Sequence, residues 1–207
     1  MGGILRLLLV RHGLTEWNAT GRSQGHSDVP LADEGRRMAR ALAARLEPVG
    51  IDAAVASDLC RARETAEIVL GARSLPIETT PALRELSLGA WEGLTSEDIG
   101  RDFPEARAAW VSAASTARPP DGETMSELQA RVAACIDGLA DRHQGQTLLV
   151  VSHGYAILTY VCLLLGLPLD QFRSLWIDPT GLTEVRFRGG RRSLRRLNDT
   201  GHLGDLG

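Results

Sequence analysis

Lysine occurs nowhere in the 207 residues, so all 23 basic side chains are arginine. Its absence removes a P-loop lysine, a Schiff-base lysine and pyridoxal chemistry together. Cysteine is nearly as scarce. Cys60, Cys135 and Cys162 are scattered without C-x-x-C spacing, which argues against a zinc site and a disulfide framework and suits reduced thiols. No long hydrophobic run is present either. The oiliest stretch, Tyr155 to Leu169, is broken by Thr159, Gly166 and Pro168, short of the ~20 residues a membrane span needs. Residues Met1 to Arg6 lack the apolar core and cleavage site of a signal peptide, so a cytoplasmic location is expected. The net charge of −3 carries no general attraction to nucleic acid or to an anionic membrane.

What is present reads as one domain over 1–207, long enough to bury a proper core. Leu5–Val10, Ile51–Ala56 and Thr147–Val151 are short apolar runs, each closed by a polar turn, as strands covered on both faces would be. Helix patterns lie between them. Glu34–Leu46 repeats Met38, Leu42 and Leu46 every four positions, and further helices are expected at Leu59–Leu70, Ser126–His143 and Tyr155–Leu165. The alternation predicts a three-layer α/β/α sandwich with a mostly parallel central sheet and helices on both faces. Thr183–Arg188 and Arg192–Leu197 flank Gly189 and Gly190 as a hairpin, and the six arginines from Arg186 to Arg196 read as a solvated sheet edge. A segment around 94–122, rich in alanine, serine and proline from Phe103 onward, reads as a partly helical insertion over the active site.

Ligands of open parallel sheets bind at the carboxyl ends of the strands. Three clusters fall there: Arg11 with His12, Ser57 to Arg61, and Ser152 with His153 and Gly154. Two guanidiniums and two imidazoles make a site for a compact, doubly charged anion, and phosphate is the natural occupant.

These clusters belong to a series of motifs, LVRHGLTEWN (Leu9–Asn18), GRSQGHSDVPLADEG (Gly21–Gly35), SDLCRARETA (Ser57–Ala66), LRELSLGAWEG (Leu83–Gly93), DGET (Asp121–Thr124) and VSHG (Val151–Gly154). In this order, over nearly the whole chain, they resemble the histidine phosphatases, also called the phosphoglycerate mutase-like superfamily. The pattern is most similar to the short broad-specificity phosphatases.

The resemblance implies a phosphomonoesterase acting on a small phosphorylated metabolite. His12 attacks phosphorus, Arg11, Arg61 and His153 stabilise the phosphoryl oxygens, and Glu85 protonates the leaving oxygen and later activates water. Asn18, Gln24 and Gly154 join Arg11, Arg61 and His153 in holding substrate, no metal or cofactor is required, and a homodimer is left open. Glu123 and Thr124 are expected to support the site. Gly13 is expected to let substrate approach the backbone, and the pocket wall is expected from Phe103–Gly122, including Trp110, and from the loop after His153. Ala32 stands where relatives carry threonine, removing a helix cap unless Asp33 substitutes, and Asp121 and Thr124 replace glycine and serine.

A phosphoglycerate mutase would use the same phosphohistidine. Mutases of this superfamily are typically longer and carry His-Tyr-Gly where this chain has Ser87, Leu88 and Gly89, which favours hydrolysis. A binding module without chemistry is opposed by the complete set of His12, Arg61, Glu85 and His153. A metallohydrolase lacks H-E-x-x-H, and Ser152 lacks the G-x-S-x-G elbow of a serine hydrolase.

Overall fold

The structure, a computed structural model, describes residues 3–204. Residues 1–2 and 205–207, which belong to the expected 1–207 domain and, at the front, to the segment read for a signal peptide, lie outside the described residues. Six strands form one sheet: β1 (Leu5–Arg11), β2 (Ala53–Ser57), β3 (Ile77–Thr80), β4 (Thr147–Ser152), β5 (Leu182–Arg188) and β6 (Arg191–Asp199). Their order is β3-β2-β4-β1-β5-β6. The first four run parallel, β5 is antiparallel to β1, and β6 is antiparallel to β5.

Period-two alternation in β1 sends Leu7 and Leu9 into one core and Leu8 and Val10 into the other, so helices must cover both faces. On the Leu8 side lie α2 (Asp33–Leu46) and α3 (Cys60–Leu70), after the short α1 (Glu16–Ala19). On the Leu7 side lie α6 (Met125–Arg142) and α7 (Gly154–Leu165), joined by residues of α4 (Ser96–Asp102) and α5 (Pro104–Ala113). This is the α/β/α arrangement expected from the sequence.

Two details differ from that expectation, and two positions singled out in the sequence are resolved. The strand β3 is added, made by pairing Ile77–Thr80 to β2. The buried stripe of α2 runs through Gly35, Ala39, Leu42 and Leu46, so Ala39 rather than Met38 faces the core. Ala32 stands at the N-cap of α2 with no side-chain hydrogen bond, and Asp33 does not replace it, pairing with Arg36 instead. Asp121 adopts a left-handed φ of 59°, a conformation that favours the glycine expected there. Thr124, by contrast, caps α6 in a reciprocal box with Glu127. At the far edge, Gly189 and Gly190 turn the hairpin with positive φ, and several of its arginines pair with acids: Arg186 with Glu184, Arg192 with Asp137 and Arg196 with Asp199.

Candidate active site

Strands β2, β4 and β1 are neighbours and parallel, so their carboxyl ends open on one rim, with Arg11 opposite Ser152 in register. His12 follows β1 directly, its backbone N–H held by the Ser152 carbonyl at 2.9 Å. The imidazole is 2% exposed, and its Nδ1 lies 2.7 Å from the Gly13 carbonyl oxygen. A carbonyl only accepts, so Nδ1 carries the proton and Nε2 keeps a free lone pair. Burial first, then the charges of Arg61 and Arg11, hold the His12 pKa well below its ordinary value, which keeps the ring neutral.

Gly13 has a different role from the expected one. A Cβ there would meet the Gly35 carbonyl oxygen at 2.5 Å, and one on Gly35 would meet the Leu14 oxygen at 2.1 Å. The two glycines let the chain after β1 cross the first turn of α2 at backbone contact; ligand approach does not explain Gly13. Its N–H is taken by Thr65 Oγ1 of α3 at 3.0 Å.

Arg61 is fully buried in the first turn of α3. Its Nη1 and Nη2 donate to the Ser27 and Gly25 carbonyls, both at 2.8 Å, and its Nε has no partner. Arg11 donates through Nη1 to the Ile177 carbonyl at 2.6 Å, and its Nε is likewise buried and unpartnered. Neither guanidinium has a carboxylate in a salt bridge, so both keep charge and a donor for an incoming anion. The His153 ring centroid lies 5.1 Å from that of His12, and neither of its nitrogens has a partner. Its pKa is also held well below normal, by burial and then by Arg61 and His12.

Glu85 lies between these groups and α7. Its Oε1 accepts from the backbone of Leu86 at 3.0 Å and Ala156 at 3.2 Å, and its Oε2 from Tyr155 at 3.1 Å. Its sequence neighbour Arg84 is engaged elsewhere, paired with Asp58 at 2.6 Å. A Cβ at Gly154 would sit 3.6 Å from Arg11 Nε and 3.7 Å from Glu85 Oε2, ordinary contact distances that place this glycine beside both cation and carboxyl. Behind them, Arg131 binds the carbonyls of Ala82, Arg84 and Glu85 and pairs with Glu123, which fixes the segment that carries Glu85. Ser152 turns away, its hydroxyl spent on the Leu83 carbonyl.

These side chains open on a cavity of about 350 Å³, lined by Arg11, His12, Asn18, Gln24, Arg61, Glu85 and Gly154 among others. His153 sits behind this lining. Asn18 lines the cavity and also closes the cap of α1: its Oδ1 accepts from the Thr15 backbone and hydroxyl, leaving the amide nitrogen for a ligand. The Gln24 side-chain oxygen is buried without a partner. Among the described residues, no group of three or more histidine, cysteine or acidic side chains could hold a metal ion.

The expected wall from Phe103–Gly122 is overturned: no residue of 94–122 lines the cavity. Trp110 is buried edge-on against Trp91 at 6.0 Å and beside Phe172 at 6.5 Å, and Phe172 in turn braces Tyr155 at 5.6 Å. The segment after His153 does line the cavity, through Tyr155 and Leu158, but as the start of α7 and not as the expected loop, and sequence reading missed Trp17, Leu88, Trp176 and Ile177. Loop 176–181 also grips β1. Thr180 N–H donates to the Arg11 carbonyl at 3.0 Å, and Asn198 exchanges hydrogen bonds with Asp178.

The structure thus brings His12, neutral and with Nε2 free, to one rim with Arg11, Arg61, His153 and Glu85. The chain belongs to the histidine phosphatase superfamily, branch 1, whose family model matches residues 7–200, and it is an enzyme of the histidine phosphatase type. It is 38% identical over 205 residues to a protein of Yersinia pestis (strain Pestoides F) named probable phosphoglycerate mutase GpmB, covering 97% of this chain and 95% of that one. Among solved structures, YhfR of Bacillus stearothermophilus superposes with a TM-score of 0.92 at 37% identity, covering 96% of this chain and 99% of that one. The alpha-ribazole phosphatase of Shigella flexneri does so with a TM-score of 0.87 at 32% identity, covering 94% and 96%. No helix among the described residues is long and apolar enough to cross a membrane.

Proposed function

We propose that this chain is a phosphomonoesterase that hydrolyses a small phosphorylated metabolite through a phosphohistidine on His12, working as a single domain. The observation that carries the reading is the hydrogen bond from His12 Nδ1 to the Gly13 carbonyl, which leaves Nε2 as the nucleophile.

In the first step Nε2 bonds to phosphorus while the ester P–O bond breaks. Positive charge grows on the ring as it does so. The Gly13 carbonyl meets that charge at the Nδ1–H, and Arg11, Arg61 and His153 meet the charge on the phosphoryl oxygens. Asn18, Gln24 and Gly154 complete the pocket for the bound phosphate. Glu85 gives a proton to the departing alkoxide. Water then attacks phosphorus, gives its proton to Glu85, and the P–N bond breaks to release phosphate and the neutral histidine.

The name of the Yersinia relative favours a second reading, transfer of the phosphate to another hydroxyl of phosphoglycerate. Chain length does not separate the two, since that relative is covered over 95% of its length. Hydrolysis is supported by the cavity lining, which includes no residue of 94–122, because a mutase must keep water from its phosphohistidine. Incubation with 3-phosphoglycerate and bisphosphoglycerate, followed by assay for 2-phosphoglycerate and free phosphate, tests the choice. Phosphate release without isomerisation is expected; rapid formation of 2-phosphoglycerate would select the mutase.

A further inference from the structure

The guanidinium of Arg61 is aimed by two carbonyls, those of Gly25 and Ser27, and its Nε is left for the anion. Helix α3 supplies the side chain, but the loop after Gln24 decides where its donors point. Residues 23–30 lie in no helix or strand, so no regular hydrogen-bond ladder fixes that loop. Whatever does fix it belongs to the anion clamp as much as Arg61 itself.

Glu92 fixes it. Its Oε1 accepts from the His26 backbone N–H at 2.8 Å and the Leu88 N–H at 3.3 Å, and its Oε2 accepts from the Ser27 N–H at 2.8 Å and the Ser27 hydroxyl at 2.6 Å. Three of the four partners are backbone N–H groups, which only donate, so the side chain serves as an acceptor at both oxygens. Gly25 turns against it with a φ of 54°, where a Cβ would strike Glu92 Oε1 at 2.1 Å. Two further contacts extend the strap across the site: His26 Nε2 lies 2.9 Å from the Glu85 carbonyl oxygen, and Asp28 Oδ1 accepts the Cys60 N–H at the start of α3 at 2.7 Å. The loop thus spans from the segment carrying the acid to the helix carrying Arg61. Glu92 does not line the cavity, whereas Gln24, Gly25 and Leu88 around it do.

We infer that Glu92 is a positioning residue for the anion clamp: it fixes residues 25–27 so that their carbonyls hold the Arg61 guanidinium toward the phosphoryl group. This inference rests on the phosphomonoesterase reading of the same cavity. A residue that acts through Arg61 loses its influence on anion binding when Arg61 is removed, whereas one that only stabilises the fold does not, and a double-mutant cycle separates the two.

Titration of the full chain with inorganic phosphate, followed by the shifts of backbone amide signals in NMR spectra, measures the clamp without requiring turnover and shows in the same spectra that each variant is folded. Glu92→Gln turns one acceptor oxygen into a donor facing the loop's own donors, and should weaken phosphate binding at least about tenfold. In an Arg61→Ala background, where Arg11 still binds the anion, the same change should matter by less than about threefold. A loss below about threefold when Arg61 is present, or equal losses in both backgrounds, would overturn the inference. If Glu92→Gln does not fold, Ser27→Ala is the milder form of the cycle, since it deletes one bond to Glu92 and keeps the Ser27 carbonyl on Arg61. A loss of about twofold to fivefold is then expected with Arg61 and none without it; no loss with Arg61 overturns the inference. Hydrolysis of an alkyl phosphate by the wild type reports separately on the reaction. Phosphate binding coupled through Arg61 with no hydrolysis would sink the phosphomonoesterase reading and keep Glu92 in its role. Hydrolysis with uncoupled binding would sink the inference alone, and a wild type that binds no phosphate would sink both.

Discussion

At the scale of single residues, the two arginines at the phosphate end do different structural work, and their variants should differ accordingly. Arg11→Ala should lower kcat/KM at least tenfold, in line with the ~2–4 kcal/mol carried by other oxyanion donors. Arg61→Ala should lose at least as much activity and also stability, by about 1–3 kcal/mol, because the Ser27 and Gly25 carbonyls lose their buried donor. Denaturant unfolding beside kinetics checks this, and equal stability of the two variants would contradict it. Glu85→Gln separates proton donation from positioning. With an alkyl phosphate its single-turnover loss should exceed that with p-nitrophenyl phosphate by roughly 10²–10⁴, since a phenolate leaves without a proton. Equal losses would remove Glu85 as the acid. Arg11, His12, Arg61 and His153, which the structure gathers at one rim, stood out because charged groups after apolar strands are chemically conspicuous, whereas Glu85, Asn18 and Gln24 were named only through the family resemblance. Trp176 was not, since an isolated tryptophan in a loop carries no pattern, and Trp110 was misplaced because its partners Trp91 and Phe172 are distant in sequence.

At the scale of elements, the strands and helices that carry the site were readable from apolar runs and periodicity, within a residue or two at most ends. What escaped was whatever depends on a neighbour. Ile77–Thr80 is too short and polar to announce a strand, and exists through its pairing with β2. Gly13 cannot be interpreted without Gly35, 22 positions away, against which it packs. Gly13→Ala should therefore cost stability, by about 1–3 kcal/mol or more as for other overpacked sites, before any effect on substrate affinity is considered. The uncapped start of α2 offers the opposite change. Ala32→Ser should add about 1 kcal/mol by bonding a free backbone N–H, and raise the melting temperature by roughly 2–4 °C. An unchanged melting temperature would mean that the N–H groups of this turn already have partners.

At the scale of the whole molecule, buried neutral histidines make stability depend on pH in a definite direction. His12 and His153 are held well below 6.5, and burial pulls His202 down to about 4. The unfolded chain takes up these protons near pH 6.5 and the folded chain does not, so stability is full above that value and falls as pH drops below it. The two active-site rings act in the same direction, so the decline between pH 7 and 5 is their joint effect. Asp199, paired with Arg45 and held at about 2, adds a loss of the same sign only in stronger acid, below about pH 4. Thermal melts in buffers free of phosphate and sulfate should show the decline. A flat profile from pH 7 to 5 would mean that the rings are charged in the folded protein.

The central claim is that phosphate passes through Nε2 of His12, and trapping the intermediate tests it most directly. The enzyme is mixed with labelled substrate, quenched in alkali within one turnover and digested, and the phosphopeptide is located. The account predicts acid-labile, base-stable phosphate on His12, attached at Nε2, and none in a folded His12→Ala variant, which should also lack turnover. Label on Nδ1, on a serine or an aspartate, or undiminished in His12→Ala, would contradict it.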